Sequence, residues 1–150
     1  MSRDSRLSRM LHVLVHMEQL DGAATSDTIA QMLNTNPVVV RRTMAGLREH
    51  GYVRSVKGPG GGWTLAKKLD EISLGDIHRA LDSPAIFAMS AAVDHAGCLV
   101  EQAVNATLES AFAEAEQVLF ARLDSISLGD VARDFAKRAR RKVPRGRSEQ

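Results

Sequence analysis

With one cysteine in 150 residues, the chain cannot build an intrachain disulfide framework, and a lone thiol fits a reducing cytoplasm. Long apolar runs are missing too: nothing approaches the roughly 20 residues that a membrane-spanning helix needs, so no membrane partner is expected. The start, Met1-Ser2-Arg3-Asp4-Ser5-Arg6, leads into an amphipathic segment and not into a signal peptide with a cleavage site. No G-x-x-x-x-G-K-[ST] loop is present to cradle a triphosphate, and no convergent carboxylate pair or metal-ligand spacing appears. His95 and Cys98 are three residues apart, but no orienting group or oxyanion site accompanies them, so no catalytic residue is assigned and an enzyme is not expected. The length suffices for one domain, or for a small domain plus a long oligomerisation element.

The net charge of +2 hides a segregation. Residues 39 to 68 carry seven Lys/Arg against Glu49 alone; residues 70 to 135 carry twelve Asp/Glu against Arg79, Arg122 and Arg133; residues 137 to 150 return to seven basic residues against Glu149. A basic first block is the electrostatic footprint of a nucleic-acid surface.

That block coincides with a helix-turn-helix pattern. Leu7, Met10, Leu11, Leu14, Val15 and Met17 recur at helical spacing, with Arg3, Arg6 and Arg9 at or before the start and Asp21-Gly22 near the end. A short helix opens on the capping residues Thr25 to Asp27, with Ile29, Ala30 and Leu33 inward. Asn36-Pro37 opens a third helix and Gly51 closes it. Its inward stripe is Val40, Met44 and Leu47; Val38, Arg41, Arg42, Ala45, Arg48 and Glu49 face solvent. Three outward arginines suit a major groove, Arg41 and Arg42 reaching guanine or phosphate and Arg48 anchoring backbone. The following run, Val53 to Leu65, is two short β-branched segments around the tip Lys57-Gly58-Pro59-Gly60-Gly61, which reads as a wing able to lie against phosphates or enter a minor groove. A hairpin that merely closes a small sheet is the competing reading. Thr25, Asn36, Val38, Val39, Arg41, Arg42, Arg48, Lys57, Gly58, Gly60 and Trp63 make up the candidate double-stranded DNA contacts.

Farther along, Ile72-Ser73-Leu74-Gly75-Asp76-Ile77 recurs as Ile126-Ser127-Leu128-Gly129-Asp130-Val131, and in each copy Ser and Asp form a capping-box pattern that opens a helix. Between the copies, residues 98 to 123 read as one long helix. Val104, Leu108, Ala111, Ala115, Val118 and Arg122 step along a near-heptad seam widened by Val100, Phe112, Leu119 and Leu123. So apolar a seam predicts a homodimer, with Val104, Leu108, Ala111, Phe112, Ala115 and Leu119 at its interface; packing of the helix on its own domain is the alternative. Two heads one helical turn apart suit a palindromic operator.

The predicted organisation is mainly α with a small β-wing: a winged helix-turn-helix domain (1–81), a linker or sensor segment (82–97), a dimerisation helix and C-terminal helix (98–136), and a basic, disordered tail (137–150). The segment Leu47 to Lys67, L-R-E-H-G-Y-V-R-S-V-K-G-P-G-G-G-W-T-L-A-K, followed by I-S-L-G-D-I, resembles the Rrf2 family of bacterial winged-helix transcription regulators over residues 7 to about 135. The resemblance implies dimeric, sequence-specific DNA binding, usually repression, with the third helix in the major groove and the wing on the minor groove. Lys57 stands where the family has a basic wing residue and Trp63 where it has an aromatic one. Arg41 departs from members that carry an acidic residue there, so their operators do not transfer.

Cluster-binding members of that family carry three cysteines near the dimer helix, whereas this chain has Cys98 alone. A [2Fe–2S] centre takes four thiolates, or two with two histidines, so neither a cluster nor another cofactor is expected. A hybrid site joining Cys98 to His95, His12 or Asp4 is the remaining alternative. Cys98, the candidate sensor, has three readings: a small buried hydrophobe, a redox-active thiol at a helix N-terminus, or part of a small-molecule effector pocket with Phe87 and Met89. The function read from the sequence is a homodimeric DNA-binding regulator gated near Cys98; the alternative is a winged-helix module that binds protein instead of a specific DNA site.

Overall fold

The computed structural model describes residues 4–82, 84–87 and 91–142. Arg3, Met89 and the tail from Val143, all singled out in the sequence, lie outside them. Three helices open the chain: α1 (Arg6–Gln19), α2 (Ser26–Leu33) and α3 (Pro37–Glu49). Each starts and stops for local reasons. Thr25 Oγ1 accepts the Thr28 N–H at 3.0 Å, and Asn34 ends α2 in the left-handed region at φ +51°. Asn36 Oδ1 accepts the Val39 N–H at 3.0 Å, Pro37 occupies the first turn of α3, and Gly51 turns the chain away at φ +81°.

The wing follows as an antiparallel pair, β1 (Val53–Val56) and β2 (Gly62–Leu65), in the register Val53↔Leu65, Arg54↔Thr64, Ser55↔Trp63 and Val56↔Gly62. Ala24 extends it by one rung, exchanging backbone hydrogen bonds of 2.9 and 2.8 Å with Trp63. Gly62 sits at φ +145° with its α-carbon so close to the Ala24 carbonyl that a Cβ would overlap it. That residue is therefore glycine for two reasons, conformation and close approach.

A 3-10 turn (Leu69–Glu71), α4 (Leu74–Ala80), the long α5 (Leu99–Asp124) and α6 (Leu128–Lys142) complete the chain. The core contains the fully buried Leu14, Ile29, Met44, Leu47, Ile72, Ile77 and Leu128. Each contributes about 2 kcal/mol by leaving water. Leu128 belongs to α6, and Val131 and Ala132 pack against the same core. The C-terminal helix is thus part of the head, which corrects the boundary at 81; it also runs to Lys142, six residues past the expected limit of 136, so the first part of the predicted disordered tail is helical.

The two I-S-L-G-D segments meet each other face to face. Leu74 N–H donates to Ile126 O at 2.9 Å and Leu128 N–H donates to Ile72 O at 2.8 Å, across a Ser73↔Ser127 bridge. Both capping boxes form: Ser73 with Asp76 and Ser127 with Asp130, each with bonds of 3.0 and 2.9 Å. The pairing is nearly symmetric beyond the caps. Arg79 donates to Asp76 and Asp124 at 2.9 Å each, while Arg133 donates to Asp130 at 2.7 Å and to Asp70 at 2.8 Å. Asp124 lies over Gly75 and Asp70 over Gly129, so close that a Cβ on either glycine would strike the carboxylate. The repeat that read as two separate helix starts is therefore one clasp, joining the α4 corner to the α5–α6 corner.

Candidate nucleic-acid interface

Helix α3 buries Val40, Met44 and Leu47 and turns the opposite side outward, as its periodicity predicts. Val38 and Val39 are 57% and 45% exposed, and Arg41, Arg42 and Arg48 are exposed. Methyl groups beside forked guanidinium donors match what base edges present in a major groove, where thymine offers a methyl and guanine two acceptors. Thr25 and Asn36 sit exposed at the N-termini of α2 and α3, their side-chain oxygens already accepting cap hydrogen bonds.

The wing tip carries Lys57, Gly58 and Gly60 into solvent, the two glycines at φ +89° and +74°. A turn hydrogen bond of 2.8 Å from Gly61 N–H to Gly58 O closes it. No side chain other than Lys57 and Pro59 stands between this backbone and an approaching phosphate chain.

Trp63 does not belong with them. It is 7% exposed, packs in the core and donates its indole N–H to Ser26 Oγ at 3.1 Å, so its ring fastens the wing to the start of α2 instead of facing a duplex. Its strand parity explains this: Trp63 lies opposite Ser55, on the same face as the buried Val53.

Four arginines are held in ion pairs. Arg6 is bound to Asp4, whose carboxyl it holds down at about pKa 2 through side-chain and backbone hydrogen bonds, and Arg79, Arg133 and Arg138 are likewise paired with aspartates. Among the described residues, Arg41, Arg42, Arg48, Arg54 and Lys57 have no carboxylate partner within salt-bridge distance. Lys67, counted in the same basic block, lies 5.3 Å from the Tyr52 ring centroid. One residue outside the candidate set joins the surface: Arg9 lines a cleft of about 510 Å³ with Arg42, Thr43 and His50. Its position on the first turn of α1 was visible in the sequence, but the approach of α1 to the flank of α3 was not.

Cys98 caps α5 without a side-chain cap hydrogen bond, and it is exposed. The buried-hydrophobe reading therefore fails within one chain. Phe87 packs at 5.8 Å from Phe112 and away from the thiol's own helix turn, while Met89 lies outside the described residues. Among the described residues no three His, Cys, Asp or Glu side chains gather to hold a metal ion. One thiol per chain with no such gathering does not fit a four-ligand cluster.

Helix α5 buries no residue in the single chain. Val104 and Leu108 are 50% and 38% exposed, Ala111 and Ala115 are exposed beside them, and Phe112 and Leu119 are half-buried on the flank. Its other side returns to the head, where Phe120 packs 5.1 Å from the buried His78 ring. The two ring nitrogens of that histidine are unequal: Nε2 bonds the Pro84 carbonyl at 2.8 Å, while Nδ1 has no partner among the described residues. No helix among the described residues is long and apolar enough to cross a membrane.

Residues 3–134 match the model of the Rrf2 family, described as iron-dependent transcriptional regulators. Bacillus subtilis YwnA, whose name describes an HTH-type transcriptional regulator, is 30% identical over 128 residues, 85% of this chain and 95% of its own length. Among solved structures, the chain is similar in fold to IscR of T. potens (TM-score 0.66, 24% identity, 97% of this chain and 94% of that one). It is similar too to CymR, the global cysteine regulator of B. subtilis (TM-score 0.61, 24% identity, 88% and 97%).

Proposed function

The chain belongs to the Rrf2 family of transcriptional regulators, DNA-binding proteins and not enzymes, and from that premise we propose that it is a homodimeric, sequence-specific repressor gated by a signal at Cys98. The observation that carries the DNA reading is the exposed, unpaired charge of α3 and the wing. Arg41, Arg42 and Arg48 of α3 and Arg54 and Lys57 of the wing are exposed and have no carboxylate partner among the described residues, and the exposed Val38 and Val39 lie beside the α3 arginines. Such charge is neutralised by phosphates with release of counterions. Repression needs only occupancy of an operator, which a reading helix and wing supply by themselves.

Dimerisation is supported by the unpartnered apolar seam of α5, and a two-fold pair of heads reads a palindrome with half-sites about 34 Å apart. Gating is supported by position: the thiol begins the dimer helix and faces solvent, so oxidation or a bound electrophile alters the junction between linker and dimer element. With one thiol per chain, the device works without an iron–sulfur cluster.

Selection of binding sites from a random duplex library, with and without peroxide, tests this. A palindromic motif whose affinity falls steeply with salt and is lost on oxidation is the expected result. A library that returns no motif refutes the DNA reading, and a motif insensitive to oxidant removes Cys98 from the mechanism.

A further inference from the structure

The cleft that Arg9 and Arg42 share has a chemistry that reading DNA does not use. It holds about 510 Å³ between the start of α1, one flank of α3 and the end of α4, within the range of small-molecule sites. Its inner side is apolar, because the buried core residues Met10, Ala80 and Leu81 line it together with Leu33 and Val39. By the 100° step of an α-helix, Val39, Thr43, Gly46 and His50 follow one line of α3 into the cleft, and Arg42 stands at the edge of that line. Arg41 and Arg48 fall on the opposite side of the helix. A duplex met by those two arginines brings phosphates and base edges but no apolar body to cover Met10 and Leu81.

The ionic groups of the cleft are unevenly satisfied. Arg6 is tied to Asp4 at 2.7 Å, and the charge of Asp82 helps to hold it protonated. Among the described residues, neither Glu49 nor Asp82, the carboxylates of the lining, comes within ion-pair distance of Arg9 or Arg42. Two forked donors beside an apolar recess complement a carboxylate carried on an apolar body. The third wall gives such a ligand reach. Asp82, in the left-handed region at φ +62°, is where the chain leaves α4 for the linker, so one molecule in the cleft touches both the reading helix and the root of that linker.

We propose that this cleft is an effector site for a small organic acid, a carboxylate on an aryl or alkyl body, and that its occupant opposes DNA binding. The carboxylate takes the guanidiniums of Arg9 and Arg42 while the body covers Met10, Leu33 and Leu81. Arg42 is then withdrawn from phosphate or guanine, and a negative charge stands beside α3 where a duplex approaches. The proposal rests on the DNA reading above and adds a ligand class and a direction to it. By linkage, operator DNA weakens the acid by the same factor as the acid weakens the operator.

Sodium phenylacetate is the probe for the full chain. Phenylacetamide keeps its body without the charge, and sodium acetate keeps the charge and the ionic strength without the body. Followed by backbone amide NMR shifts without DNA, phenylacetate should bind with a dissociation constant of about 5 mM or tighter, which about ten non-hydrogen atoms reach at ordinary ligand efficiency. The shifts should centre on Arg9, Thr43 and Leu81, and both controls should bind at least about tenfold more weakly. Arg9→Gln and Arg42→Gln, at exposed side chains, should each weaken the acid about tenfold. By fluorescence anisotropy, saturating phenylacetate should weaken operator binding at least about fivefold beyond acetate at equal concentration. Phenylacetate that does not bind, that centres on other residues, or that binds no better than phenylacetamide overturns the site, as does binding that both Gln variants leave unchanged. Binding that shifts operator affinity no more than acetate does overturns the antagonism. A chain with no affinity for any duplex overturns the DNA reading instead, and the NMR titration still decides the cleft.

Discussion

Replacing Trp63 with Phe separates the two roles that an aromatic beside a DNA-binding wing can have. In the structure the indole is 7% exposed and donates to Ser26 Oγ at 3.1 Å. Phe loses that hydrogen bond, about 1 kcal/mol, and the smaller ring leaves part of the site unfilled, a further loss of about 1–2 kcal/mol. In a domain of this length each kcal/mol moves the melting midpoint by roughly 2–4 °C, so the variant should melt about 4–12 °C lower by circular dichroism at matched protein concentration. Its affinity for the selected operator at 25 °C, measured by fluorescence anisotropy, should stay within about twofold of the parent, because the fold persists there and the ring touches no DNA. Ser26→Ala should cost about 1 kcal/mol alone and almost nothing more in the Trp63→Phe background, since both changes break one bond. A tenfold loss of DNA affinity with an unchanged melting midpoint would mean about 1.4 kcal/mol of direct contact, and the assignment of Trp63 to the core would be wrong.

Other consequences are open to measurement. Arg41→Ala should relax preference at one base pair of each half-site and cost about 1–3 kcal/mol, whereas Arg48→Ala should weaken all sequences alike and lower the salt slope by about one; the opposite pattern reverses their assignments. Cys98→Ser should bind the operator like the reduced parent and ignore peroxide. Acid should loosen the clasp. Burial pulls the Asp76 carboxyl upward, but the Ser73 N–H, the Arg79 guanidinium and the Ser73 hydroxyl together bring it below the ordinary carboxylate value; at Asp130 the Ser127 N–H and Arg133 do the same. Groups with depressed pKa values stabilise the fold above about pH 4 and lose that contribution as pH falls through their folded values. Urea midpoints should therefore drop below about pH 4, less so in the Asp76→Asn/Asp130→Asn variant; equal slopes would assign the acid sensitivity elsewhere.

Much of the head was legible because its signals are local. Thr25, Asn36-Pro37 and Gly51 announce helix ends through hydrogen bonds made within three residues, and the α3 stripe is a matter of period. The core position of Trp63 was also within reach: counting alternate residues from Val53 through the paired strand places it inside. What the local pattern did not carry was pairing at a distance. Ser-x-x-Asp predicts a capped helix, yet the match extends to Asp70 and Arg79 against Asp124 and Arg133, two residues before each copy and three after each capping Asp. Those flanking charges serve the other copy, 45 and 63 residues away in sequence, and no period within a single helix shows them. For the same reason α6 read as an appendage when it is a wall of the head.

The clasp also decides how motion can pass through this molecule. Because the α4 corner and the α5–α6 corner are hooked to each other by backbone hydrogen bonds and two guanidinium–carboxylate contacts, Arg79–Asp124 and Arg133–Asp70, the head rides on its long helix as the blade rides on an oar. In the proposed dimer, turning that helix by about 10° at its midpoint, roughly 20 Å away, would swing the blade by about 3.5 Å, close to one base-pair rise. If two such oars are joined as proposed, a small chemical change where they are gripped would put the two blades out of step with the turns of a duplex.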